Sequence, residues 1–275
     1  MRHFFLFIII CVMPFSVQAQ NAFNPDNNKP VEITADESLE WHRNELYFLA
    51  RKNVRAVQGD TVLLSELLTA KYRNGAGQGM DIYRITAEGN VRISTPQSKV
   101  FGGKAVYNMD DGYAIMTGKG LKLISTDQTV TARDKFEYWS ATGKLIAIGN
   151  AVAIREGDQI KADKMIALFS QDKGGKRTLK SLESIGHVVI TTPDEVLTGD
   201  RATYDAATST AEILDHVKIT RGPNVLEGTR ATLNTKTNIS KLFGGVTTTG
   251  EKGGRVRGVF YPGSTKKPVI ENTEE

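Results

Sequence analysis

EGNVRISTPQSKVFGGKAVY, residues 88–107, comes back as IGHVVITTPDEVLTGDRATY at residues 185–204. The two align without a gap at an offset of 97, and eight of the twenty positions are identical. These are Gly89/Gly186, Val91/Val188, Ile93/Ile190, Thr95/Thr192, Pro96/Pro193, Gly102/Gly199, Ala105/Ala202 and Tyr107/Tyr204. A repeat at fixed spacing is a construction unit, so its local structure decides the whole architecture.

That local structure reads as strand. From Val31 the chain alternates, with Val31, Ile33 and Ala35 on one face and Glu32, Thr34 and Asp36 on the other. Period two over short runs marks a half-buried strand. Further runs are closed by turn residues at Gly59 and Asp60, Asp111 and Gly112, Thr142 and Gly143, and Gly157 and Asp158. Asp111 and Gly112, between AVYNM and YAIMTG, predict a tight hairpin. Residues 65–73 (SELLTAKYR) have the composition of a helix, but their counterpart 97 residues on, ADKMIALFS, lies in a strand-like series. Both are read as strands.

A shorter period runs inside the long one. The residues that follow Gly-Asn-like turns are Val54, Val91, Leu121, Ala151, Val188 and Val217, at steps of 37, 30, 30, 37 and 29. The longer steps hold the insertions NGAGQGMD (74–81) and QDKGGKRT (171–178). About thirty residues therefore form one strand-turn-strand unit, and three units form a super-repeat. ITADESLEW from Ile33 matches VTARDKFEY from Val130 in the same way. Residues 31–127 are expected to form one copy, and 128–249 a second with a partial third copy from Val225. Residues 20–30 read as a flexible lead-in and 250–275 as a flexible tail. Within the tail, the strand-like stretch 256–261 is expected to dock when a partner is present.

Residues 1–19 carry a short basic start at Arg2 and His3, an apolar run and a small-x-small site at Val17, Gln18 and Ala19. They read as a cleaved export signal, with a retained anchor as the competing reading. The single cysteine, Cys11, falls inside this segment, so the exported chain would hold together by packing alone. With 35 basic against 31 acidic residues, the net charge of +4 is too mild to argue for nucleic acid.

A thirty-residue strand unit cannot bury its apolar face alone, whereas stacked units can. The expected class is all-β, an elongated stack of antiparallel strands. The alternation places Ile33, Phe48, Leu64, Val91, Ile93, Tyr107, Leu121, Leu123, Phe136, Tyr138, Ile154, Phe169, Val188, Ile190, Tyr204, Val217 and Ile219 inside. Such an interior is either a dry core or an incompletely closed one that accepts apolar guests. An open stack also has end strands whose free backbone groups must be blunted or used for strand addition.

PVEITADESLEW (30–41), KNVRAVQGDTVLLSELLTAKY (52–72), EGNVRI (88–93) and a later GxxAxY together resemble the LptA/OstA-like family of periplasmic lipopolysaccharide-transport proteins. The resemblance covers about residues 31–123 once and 130–219 again. It implies an antiparallel β-jellyroll, open and V-shaped in section, in the periplasm of a Gram-negative cell. Its apolar interior would shield the acyl chains of lipid A, and Ile33, Phe48, Leu64, Val91, Ile93, Tyr107, Leu121, Leu123, Phe136, Tyr138, Ile154, Val188, Ile190 and Tyr204 would form its lipid-binding wall. It also implies end-to-end homo-oligomers, an inner-membrane-anchored jellyroll protein and an outer-membrane translocon as partners, and no cofactor. A β-solenoid scaffold or adhesin with a dry core, and a polysaccharide-acting enzyme, are the rival readings.

The residues offer little to catalysis. His42, His187 and His216 form no HxxxH pattern, and the last two stand where Asn90 and Asn150 stand elsewhere, which suits surface turns. The glycines at 75, 77 and 79 lack the Lys-Ser/Thr and helix of a phosphate loop. Asp110, Asp111 and Gly112 lack calcium-loop spacing, and Ser65, Ser94 and Ser98 lack a nucleophile's setting. Arg92, Lys99, Lys104, Lys122, Arg201, Lys218 and Arg221 are either solvated strand-face charges or a rim for sugar phosphates.

Overall fold

A computed structural model describes residues 29–75, 79–171, 177–237, 239–252 and 254–261. The expected export signal, most of the lead-in and residues 262–275 lie outside the described residues. The chain begins with β1 (Val31–Thr34), β2 (Ser38–His42), β3 (Tyr47–Gln58), β4 (Thr61–Asn74), β5 (Met80–Ser94), β6 (Ser98–Asn108), β7 (Tyr113–Thr117) and β8 (Lys122–Ser125). It continues with β9 (Gln128–Thr131), β10 (Lys135–Trp139), β11 (Lys144–Arg155), β12 (Asp158–Gln171) and β13 (Arg177–Thr191). The last strands are β14 (Val196–Asp205), β15 (Thr210–Arg221), β16 (Asn224–Asn234), β17 (Ile239–Phe243) and β18 (Arg257–Val259). The class is all-β, as expected, with antiparallel neighbours joined by short hairpins. Residues 65–73 are strand, inside β4.

The Gly-Asn positions are not hairpin turns. They lie in the middle of long strands, each with two consecutive residues in the left-handed region. The pairs are Lys52 and Asn53, Gly89 and Asn90, Gly149 and Asn150, Gly186 and His187, and Asp215 and His216. At each pair the register slips, between Arg51/Val54, Glu88/Val91, Ile148/Ala151, Ile185/Val188 and Leu214/Val217. Two residues then oppose one on the neighbouring strand, which is a β-bulge, and the strand bends there. Glycine and asparagine recur because left-handed backbone is costly for other residues. His187 and His216 occupy the second position, each held by a carboxylate across the bulge: Nδ1 lies 2.8 Å from Asp163 Oδ2 and 2.8 Å from Asp200 Oδ2 respectively. Those partners raise both imidazole pKa values above 6.5, first through the hydrogen bond.

Each bend sends the two halves of a strand into different walls. The first half of β3 pairs with β2 (Trp41 opposite Phe48) and its second half with β1 (Ile33 opposite Ala56). β11 divides the same way between β10 and β9, and β16 between β18 and β17. β6 divides between β8 and β7. One wall therefore runs β2 through β7, then β10 through β17; the other runs β1, β3 to β6, β8, β9, β11 to β16 and β18. The walls face each other across one interior. Val54, Val91, Leu121, Ala151, Val188 and Val217, the markers of the thirty-residue period, are all buried where the walls meet.

Some crossing strands are divided at the corner, as β1 and β2 are at residues 35–37 and β9 and β10 at residues 132–134. After β7 the corner is opened into a loop at Gly118 and Gly120, and the strand that would have crossed both walls is split into β7 and β8. Gly118 permits it: a Cβ there would stand 2.8 Å from the Gly103 Cα. At the other end, Arg257–Val259 pairs with Val225–Glu227 of the same chain, and the Tyr261 N–H donates to Asn224 Oδ1 at 2.9 Å. The stretch expected to dock only on a partner is thus already paired within the chain, because half of β16 is otherwise an open edge.

Close packing inside depends on glycine opposite the corner. A Cβ on Gly102 would lie 2.6 Å from Met116 Cγ and 3.0 Å from Leu121 Cδ2, both fully buried. Gly102→Ala is expected to lower stability by about 1–3 kcal/mol through overpacking. Urea unfolding that leaves the variant at the wild-type midpoint would show that this interior is loose.

Candidate apolar trough and its rim

The interior is not uniformly filled. At the N-terminal mouth a space of about 590 Å³ is lined by the apolar Ile33, Leu39, Phe48 and Ile82 together with the polar Lys29, Gln58, Asp81 and Asp110. A smaller one of about 80 Å³ follows, between Ala56, Leu63, Ile93 and Tyr107. In the second half a cavity of about 290 Å³ lies among Ile160, Ile190, Leu197, Tyr204, Ile219 and Leu226. Between these spaces Met116, Leu121 and Phe136 are fully buried in one cluster with Val100 and Tyr138. Cavities of a few hundred cubic ångströms with mainly apolar walls are the usual form of sites for apolar ligands.

Most residues expected inside are there. Ile33, Phe48, Ile93, Tyr107, Ile190 and Tyr204 line the spaces. Val91, Leu121, Leu123, Phe136, Tyr138 and Val188 belong to the packed cluster around them. Burial pushes the phenols of Tyr107 and Tyr204 up from 10, so both remain neutral hydroxyls at the cavity walls. Two expectations are corrected. Leu64 pairs with Arg55 and Arg92 on the outward face, and Leu63 points in instead. Glu66 stands opposite the bulges of β3 and β5, and the inward side of β4 changes there, so the phase read from Leu68 and Ala70 fails before it. Ile154 is 43% exposed and only touches the cavity's lip, while its neighbour Arg155 takes the inward place.

The mouth is open. Leu39 and Trp41 are 56% and 47% exposed, although their neighbours belong to the interior. Trp41 stacks on Phe48 at 5.5 Å, and its indole N–H donates to the Tyr72 hydroxyl at 2.7 Å. These side chains are ordered for contact but uncovered.

Most of the basic residues weighed as a rim face outward. Lys104 pairs with Glu88 at 2.5 Å, Arg201 pairs with Glu183, and Arg92 lies over Phe101. Exposed pairs of this kind contribute little to stability. Arg221 alone continues the inward alternation of Val217 and Ile219.

The true inward rim of the second half escaped the sequence. Arg155 and Asp158 close the hairpin between β11 and β12 and line the cavity, with Arg155 Nε 3.3 Å from Asp127 Oδ2. One hairpin on, Glu195 is 3% exposed while Val196 is 37% exposed. Apolar residues outside and charged ones inside, at two adjacent hairpins, reverse the usual pattern. Neither Glu195 carboxylate oxygen has a hydrogen-bond partner among the described residues. Burial pushes this carboxyl up, and the nearby Arg221 offsets only part of the effect. Among the described residues no three His, Cys, Asp or Glu side chains converge as a metal site.

Residues 129–239 match the family described as LptA/(LptD N-terminal domain) LPS transport protein. Among solved structures the chain is similar to LptH, the LptA homologous periplasmic component of the conserved lipopolysaccharide transport device from Pseudomonas aeruginosa. That similarity has 14% sequence identity and a TM-score of 0.21, over 87% of this chain and 100% of that one. No curated protein matches the chain. The family match falls on the half that holds the 290 Å³ cavity and the charged rim.

Because the folded state raises the Glu195 pKa above 4.5, folding favours its protonated form. Stability is therefore lost as pH rises through the window above 4.5. Glu195→Gln is expected to be more stable than wild type at pH 7, with the difference vanishing below 4.5. Urea midpoints at the two pH values check it; equal midpoints at pH 7 would mean that the carboxylate is solvated.

Proposed function

We propose, from the match of residues 129–239 to the LptA/(LptD N-terminal domain) lipopolysaccharide-transport family, that the protein binds lipopolysaccharide in the periplasm and bridges the inner and outer membranes. The observation that carries this reading is the apolar interior between the walls, open at Leu39 and Trp41 and hollow again around Ile190, Leu197 and Ile219. An acyl chain exposed to water costs about 0.8 kcal/mol per methylene, so roughly 10 kcal/mol for a dozen carbons. A row of apolar sites offsets that cost at each step, and transfer between similar sites needs no bond chemistry.

Residues 31–127 and 128–249 act in this reading as two successive units of one trough, and the chain reaches the periplasm by its cleaved N-terminal signal. The short strands β1 and β2 at one end, and β17 and β18 at the other, offer edges for strand addition. They suit a second copy of the chain, an inner-membrane-anchored jellyroll protein and the outer-membrane translocon. A dry-cored scaffold is the second reading, and the dense packing of Met116, Leu121 and Phe136 favours it.

A photo-crosslinker at Ile93 or Tyr107 is expected to capture lipopolysaccharide in cells. Adducts to neighbouring protein alone would favour the scaffold. Light scattering of the purified chain is expected to show mass growing with concentration; a strict monomer at high concentration would count against end-to-end addition.

A further inference from the structure

The repeat allows the two halves to be compared position by position. The inward-facing rim of the first half carries Gln58, Thr61, Ser98 and Ser125. At an offset of 97 the first three become Arg155, Asp158 and Glu195, and at 96 the last becomes Arg221. Four neutral polar positions are thus charged in the second half and only there. The register shared with the first half holds Arg155 and Glu195 inward even though their outward neighbours, Ile154 and Val196, are apolar and exposed.

These groups are arranged as donor and acceptor side by side. Arg155 and Asp158 face each other across the hairpin between β11 and β12. The pairing of Val196 with Thr220 extends to set Glu195 beside Arg221, yet the two form no ion pair, and both Glu195 oxygens lack a partner among the described residues. A buried carboxylate without hydrogen bonds is strongly unfavourable unless something donates to it. Beneath the Arg155 and Asp158 end of this row lies the 290 Å³ cavity, with those two residues at its lip and Ile160, Leu197 and Ile219 further in. Alternating charges of both signs match a head rich in hydroxyl and amide groups, which donates and accepts, better than a plain anion.

We propose that Arg155, Asp158, Glu195 and Arg221 form a subsite for the sugar head of a glycolipid whose acyl chains enter the cavity below, with Glu195 accepting hydrogen bonds from hydroxyl or amide groups. This rests on the lipid-binding reading above and adds that selection by head group occurs in the second half. A site built to hydrogen-bond a hydroxyl rejects ligands that lack it, because its buried groups are then left unpaired.

The test measures binding of lipid A, and of palmitic acid as a chain without a sugar, to the full chain. The variant carries the first half's own residues: Arg155→Gln, Asp158→Thr, Glu195→Ser and Arg221→Ser. Lipid A binding is expected to weaken about tenfold or more, and palmitate binding to stay unchanged. If the fourfold exchange does not fold, Glu195→Gln alone is read, with several-fold weaker lipid A binding expected. Unchanged lipid A affinity would overturn the subsite and leave the lipid-binding reading standing. Equal weakening of both probes would assign the residues to the cavity's shape and overturn the head-group role. Wild-type protein that binds neither probe would overturn the lipid-binding reading and the subsite with it.

Discussion

Each long strand turns on two consecutive left-handed residues, and almost everything else about the molecule follows from that bend. A strand without it would belong to one flat sheet with one buried face. With it, a single strand contributes to two facing walls, and the repeat copies the bend along the chain. The residue just past each bend, such as Val91 or Val188, is driven into the junction of the walls and buried there. The bulge costs a ladder bond, so the partner strand supplies a carboxylate near the gap, as Asp163 does for His187. The glycines opposite, such as Gly102, leave room for the next strand's side chain. Geometry at the bend and packing at the junction are one constraint.

The bend also fixes where chemistry is possible. Positions near the junction are closed by packing and take mostly apolar side chains, with small polar ones such as Ser65 and Ser184 among them. Positions at the hairpin ends of the walls are far from the junction and tolerate polar groups facing in, as Gln58 and Thr61 do beside the smaller space. An interior built this way is graded from apolar depth to polar lip, which is the profile of an amphiphile. Such a gradient suits the partition of an amphiphile, the role proposed above.

Much of this was legible in the sequence. The repeat at 97 residues, the all-β class and most wall residues came from alternation and glycine spacing, and the helix-like SELLTAKYR was correctly read as strand through its counterpart. The phase of that alternation was less legible. Three apolar residues in a row at Val62, Leu63 and Leu64 carry no phase of their own, and the inward side of β4 changes opposite bulges that lie on its neighbours. Leu64 was misplaced for that reason. The Gly-Asn pairs read as hairpin turns because the same residues serve both, and only pairing shows that the strand continues through them. Arg155 and Glu195 were missed because hydrophobicity places Ile154 and Val196 inside. A charged residue turned inward is visible only once the neighbouring strands fix the register.

The splitting of one crossing strand into β7 and β8 has a mechanical side. Hydrogen bonds between strands run across the strands and hence along the stack, so tension on the ends is carried through every strand pair in series. Within a pair, the bonds share the load. β12 and β13 share it along Gln159 to Gln171, but β8 and β9 share it only over Lys122 to Ile124 and Thr129 to Thr131. The β7–β10 pair, from Tyr113 to Thr117 against Lys135 to Trp139, is the only other strand pairing at that joint among the described residues. The chain itself passes from β8 to β9 there, so yielding opens a hinge and the halves stay tethered. The last strands, β17 and β18, are held to β16 by equally short pairings. Tension would thus find two places to yield, and only at the middle would both sides stay folded.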